Sequence, residues 1–128
     1  MSFNDDIQKL MRKYSITQQK AVAYFCIRIS HRVDAMSPVD TGLFRANWQA
    51  KLDQPYTGEV KTANRNGSID HVIPLANEAD GHVFYLTNKV PYALALEYGH
   101  SDQAPNGIVR VSARNALRDL KEAVRSVQ

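Results

Sequence analysis

The sequence predicts an α+β fold: a small antiparallel β-sheet packed against a long N-terminal helix and a C-terminal helix, with a short helix after the third main strand. Three observations carry this. Apolar residues recur at intervals of three and four from Val22 to Met36 and again from Val109 to Val127. They alternate from Phe44 to Leu52, as they do on a strand with one wet face. Between these lies VFYLTNKVPYALALEYG, residues 83–99, which compresses a strand, a turn, a helix and a helix stop into one stretch.

The first sixteen residues read as a short helix or a mobile arm, with Phe3, Ile7, Leu10 and Met11 at helical spacing. Thr17 is a helix cap, and the long helix it opens ends where Ser37 meets Pro38. Ser37-Pro38-Val39-Asp40-Thr41-Gly42 is a compact turn in which Asp40 accepts backbone N–H groups and Gly42 takes positive φ. Leu43 to Leu52 then predicts a strand, and Thr57 to Thr62 its hairpin partner. Residues 63–81 begin with Asn64-Arg65-Asn66-Gly67-Ser68 and predict a protruding loop or long hairpin, with a short helix near Pro74 to Ala79.

Within 83–99, Val83 to Thr87 is a strand and Asn88-Lys89 breaks it. Pro91 takes the first position of a helix that turns Tyr92, Ala95 and Leu96 to one face, and Gly99 ends it. Glu97 puts a negative charge in the last turn, where the helix dipole disfavours it, so it is either solvated or paired with a cation. Arg45, just after the turn, is the expected partner. Residues 100–107 connect to the last helix, whose apolar face is read as Val109, Ala113, Ala116, Leu117, Leu120, Ala123, Val124 and Val127.

Composition bounds the function. The 128 residues are enough for one domain, 1–128, with a single core, and the 44% hydrophobic and 23% charged shares are those of a globular chain. No apolar run is long enough to span a bilayer, and the polar start predicts no secretory signal and a cytosolic protein. The lone Cys26 predicts a buried, inert thiol. A formal charge of +3 neither demands nucleic acid nor excludes it. His31, His71, His82 and His100 are scattered without metal-ligand spacing, and no phosphate loop or nucleophile elbow is present, so no metal, cofactor or catalytic residue is expected.

Two features invite a sharper reading. Asp40-Thr41-Gly42 matches the signature of aspartic proteases, and the chain length suits a homodimeric retroviral-type enzyme. However, Ser37-Pro38 precedes the triplet and Leu43-Phe44-Arg45 follows it, where that family has an apolar strand and a small residue. In the last helix Arg110, Arg114, Arg118, Lys121 and Arg125 fall along one stripe. This is a solvated face, or it contacts DNA phosphates or an acidic neighbouring subunit. Of the two contacts the acidic neighbour is favoured, because Asp119 and Glu122 adjoin the stripe and would repel phosphate.

Taken together and in order, Ser37-Pro38-Val39-Asp40-Thr41-Gly42-Leu43-Phe44-Arg45-Ala46-Asn47-Trp48, then Thr87-Asn88-Lys89-Val90-Pro91-Tyr92-Ala93, Leu96-Glu97-Tyr98-Gly99 and Gln103-Ala104-Pro105-Asn106-Gly107 resemble the tail-component family of Hong Kong 97-like and lambda-like tailed bacteriophages. The resemblance spans roughly residues 20 to 120, and its motif positions are Pro38, Asp40, Thr41, Gly42, Arg45, Pro91, Tyr92, Glu97, Gly99 and Pro105. It implies a non-enzymatic virion protein of the neck, made in the host cytoplasm, that acts in tail completion and head-to-tail joining. It further implies a homo-oligomeric ring, a hexamer, around the DNA exit axis. Head-closure and tail-terminator or tail-tube proteins would be its neighbours, and no membrane is involved.

Overall fold

The computed structural model describes residues 3–38, 42–58, 60–61, 69–91, 93–98 and 107–126. Helix α1 spans Phe3–Tyr14 and α2 spans Gln18–Met36. A single turn, α3, covers Leu43–Ala46 and leads into strand β1, Gln49–Leu52. A 3₁₀ turn at Ile69–His71 runs into α4, Val72–Asn77, and strand β2 is Phe84–Thr87. Helices α5, Ala93–Glu97, and α6, Val109–Ser126, complete the order. The fold is α+β, a two-stranded antiparallel sheet packed among helices. No helix among the described residues is long and apolar enough to cross a membrane.

The start of α2 follows from its sequence: Thr17 is extended and its hydroxyl accepts the Lys20 N–H at 3.2 Å, satisfying one of the orphan donors of the first turn. At the other end Ser37 leaves the helical region, with its N–H on the Asp34 carbonyl and its hydroxyl donating to the Val33 carbonyl at 2.7 Å. Pro38 has no N–H to continue the ladder. The N-terminal arm is a helix that packs. Leu10 and Ile16 join Ala21, Leu120 and Val124 in a small cluster that holds α1 against α2 and α6. Ser15 at φ 54° breaks the chain between the two helices.

Four expectations are corrected. Leu43 to Leu52 is not one strand: Gly42 at φ 83° starts the turn α3, and only the last four residues are extended. The reason is that alternating positions four apart are also helical neighbours. Phe44 and Trp48 satisfy both patterns, and they pack edge to face at 5.5 Å and 71°. Asn47 decides between them, donating to the Leu43 and Val60 carbonyls and accepting the Val60 N–H. Secondly, Thr57, Gly58, Val60 and Lys61 form no strand, and β1 pairs instead with β2, in the register Gln49↔Thr87 to Leu52↔Phe84. The short helix α5 therefore follows the second strand, not a third.

Thirdly, residues 69–81 do not protrude; 62–68 lie outside the described residues. Ile69, Val72, Ala76 and Ala79 are buried in the main core with Phe44, Trp48, Val90 and Ile108. Pro74 is accommodated because the first turn of a helix has no use for its missing N–H. Fourthly, the buried face of α6 is rotated. Ser112 and Asp119 point inward beside Ala116, Leu120 and Val124, whereas Val109 is 47% exposed and Ala113 is exposed. Ser112 meets its own need by donating to the Ile108 carbonyl at 2.7 Å.

Candidate interaction cleft

The two motif regions, distant in sequence, are built into one place. On the first, Trp48 Nε1 donates to the Ser37 hydroxyl at 2.8 Å, tying β1's approach to the end of α2. Arg45 reaches back over the same corner, donating to the carbonyls of Ser37 and Ala35. On the second, Asn88 Nδ2 donates to the Phe44 carbonyl at 2.8 Å while its Oδ1 accepts the Val90 N–H, so one side chain closes its own turn and docks it on α3. Pro38 and Val90 are buried. Asp40, Thr41, Tyr92, Gly99 and Pro105 lie outside the described residues.

Glu97 is the hub of the second region. Its Oε1 accepts the N–H groups of Ile108 and Val109 at 3.0 and 2.7 Å, and its Oε2 accepts the N–H and Nε of Arg110 at 3.2 and 2.8 Å. Arg110 in turn donates to the Glu97 carbonyl at 2.6 Å and stacks over the Tyr98 ring at 4.8 Å. The carboxylate therefore caps the first turn of α6 from outside that helix, where the α6 dipole favours it. Burial pushes its pKa up, but the Arg110 hydrogen bond and the three backbone N–H groups outweigh that and hold it below the usual value. The cationic partner is thus Arg110 and not Arg45, a correction to the sequence expectation. Gly107 makes the approach possible: its φ is 98°, and a Cβ there would lie 2.8 Å from the Glu97 carbonyl oxygen.

Between the two regions lies a cleft of about 320 Å³ whose walls include Phe44, Trp48, Val90, Leu94, Ile108 and Val109. Its floor is core. Its rim is apolar and wet: Leu94 is 73% exposed and Val109 47%.

The His71 Nε2 accepts the Ala50 N–H at 2.8 Å, a structural role, and His82 pairs with Asp53 at the surface. Among the described residues no group of three metal-binding side chains occurs. Cys26 is buried and its thiol is pushed up to about 11 by desolvation, which makes it inert as a nucleophile.

The basic side chains of α6, Arg110, Arg114, Arg118, Lys121 and Arg125, are all exposed. Arg110 is engaged by Glu97. Asp119, expected beside the stripe, is 3% exposed and turned toward α2, where the Arg32 guanidinium grips both its oxygens. That two-pronged hydrogen bond holds its carboxyl below the usual range despite burial. Two pairings thus escaped the sequence. Arg110 carried a signal, a cation in the first turn after Gly107; Asp119 carried none, sitting 87 positions from Arg32.

Comparison with protein-family models finds no match, and comparisons with curated proteins and with solved structures find none either.

Proposed function

We propose that this chain is a non-enzymatic structural subunit of a tailed-phage neck, acting in tail completion and head-to-tail joining as part of a six-membered ring around the DNA exit axis. One observation supports it above the others. The two motifs that carry the resemblance converge on a single cleft with Leu94 and Val109 exposed at its edge. A head-to-tail ring needs such a face, because each subunit must offer a surface complementary to a different surface on the next. The occupant in this reading is the neighbouring copy, with head-closure and tail-terminator or tail-tube proteins stacked on either side. The protein would then end in the virion after assembly in the host cytoplasm.

The test is mass. The purified protein, alone and with those neck proteins, is weighed in solution beside Leu94→Arg, which puts a charge on the rim without touching the buried core. The parent should give a closed oligomer and the variant a folded monomer that fails to join heads to tails. A parent that stays monomeric with and without its neighbours would sink the reading. The aspartic protease alternative rests on Asp40-Thr41-Gly42 alone. Loss of a peptidase activity in a folded Asp40→Asn variant would put it in place of the structural one.

A further inference from the structure

We propose that the cleft between α1 and α6 is a binding site for phosphate groups. The cleft, about 290 Å³, is lined by Lys9, Lys13 and Tyr14 of α1, Lys121 and Arg125 of α6, and Asp6 and Leu10. Cationic side chains therefore converge from both helices on one opening, Lys13 from α1 and Lys121 and Arg125 from α6. The apolar contact beneath forces this: Leu10, Leu120 and Val124 pack together, and the basic flanks of both helices meet above them. Like charges brought this close repel, and an anion seated among them relieves the repulsion.

The lining suits phosphate. Lys13 Nζ lies 5.4 Å from the centre of the Tyr14 ring, and Arg125 and Lys13 beside the phenol hold its pKa below the usual value. This holds a guanidinium, a phenol and an ammonium together around the opening. Several donors from two sides match the several acceptor oxygens of a phosphate better than a single planar carboxylate. The exposed row continues along α6 through Arg118 and Arg114, in steps of about 6 Å for each four residues. The carboxylate that would have opposed a phosphate there, Asp119, faces inward and is already matched by Arg32. Glu122 remains exposed on α6. The site stands on α1 and α6 alone, so it does not depend on ring assembly.

Phosphate can come from a free polyphosphate or from a nucleic-acid backbone, and the test separates them. Tripolyphosphate and a labelled mixed-sequence duplex DNA are each titrated against the parent, Lys121→Gln/Arg125→Gln, and Lys51→Gln, which removes an exposed charge from β1, outside the cleft. Binding of either probe that the double variant loses at least tenfold, while Lys51→Gln keeps it, supports the site. For DNA, neutralising three phosphates predicts a loss of roughly 40-fold between 50 and 200 mM salt. The double variant should then flatten the logarithmic salt slope by about 2. Tripolyphosphate binding alone assigns a small-molecule source, and DNA binding alone the backbone. The proposal is overturned if the parent binds neither probe, or if Lys51→Gln weakens binding as much as the double variant does. It is equally overturned if the double variant loses self-assembly with no change in phosphate binding, which would make the cleft a seat for an acidic neighbour.

Discussion

Glu97 joins two elements that the sequence keeps apart, and its energetics can be read at the scale of one residue. Its side chain is 16% exposed and takes four hydrogen bonds, two of them from one arginine. Replacing it with glutamine keeps the size but removes the charge, so the α6 N-terminus loses a charge-assisted cap. The expected cost in urea unfolding is about 1.5–3 kcal/mol. Acid should do the same. The folded pKa values of Glu97 and Asp119 lie below their ordinary 4.5 and 3.8, so both contribute stability in full above those values and lose it as pH falls through the depressed ones. Asp34 works the other way: desolvation raises its pKa above 3.8, so its ionisation opposes folding as pH rises through that raised value. A melting-temperature profile of the parent should therefore fall below about pH 4, and Glu97→Gln should flatten that fall. The sequence announced the problem, a negative charge in a last helical turn, but not the solution. Arg110 became the partner only because Gly107 lets the chain pass against the Glu97 carbonyl.

At the scale of elements, glycine positions carry more of the fold than their number suggests. Gly42 opens α3 from the left-handed region, and an alanine there is expected to cost about 1–2 kcal/mol. Gly107→Ala should cost more than its φ alone demands, because the new Cβ would press on Glu97 Oε2 at 2.9 Å and on the Arg110 guanidinium at 3.0 Å. Circular dichroism melts of the two variants beside Glu97→Gln would show this ordering. Long elements were legible because their periodicity is sustained: α2 and α6 stand where the apolar spacing put them, and β2 lies within its predicted strand. Two short helices also lie near their expected places, α4 beside the one read near Pro74 to Ala79 and α5 after Pro91, but α3 was hidden. The four residues of α3 are too few to separate a period of two from one of 3.6. The pairing of β1 with β2 spans a connection that no turn motif announces. Of the candidate site, the motif positions were visible, but the cleft they share was not, since it exists only once Asn88 docks on Phe44.

Across the whole molecule the buried residues fall into two clusters: the main core around Phe44, Trp48, Val72 and Ile108, and the smaller one around Leu10, Leu120 and Val124. Helix α6 enters the second through Leu120 and Val124, and Ile108, the residue just before it, lies in the first. Helix α1 enters only the second and smaller cluster, so it should open before the main core does. Leu10→Ala removes one of the few anchors it has, 5% exposed in the parent, at an expected cost of about 2–5 kcal/mol if the chain lost it as a unit. The structure points to a different distribution of that loss. Hydrogen exchange should show the amides of α1 losing protection in the variant, while those of α2 beyond Val33 and of β1 keep theirs, because their core does not include Leu10. Leu120→Ala offers the contrast. Leu120 is fully buried on α6 and packs in the cluster that holds α1, so its truncation should lower protection throughout α6 as well as α1. A phosphate ligand that bridges Lys13 and Arg125 binds only the docked arm, so saturating tripolyphosphate or DNA should restore α1 protection in Leu10→Ala by mass action and leave β1 unchanged. Uniform loss of protection across all elements in Leu10→Ala would show instead that the arm and the main core fold as one cooperative unit.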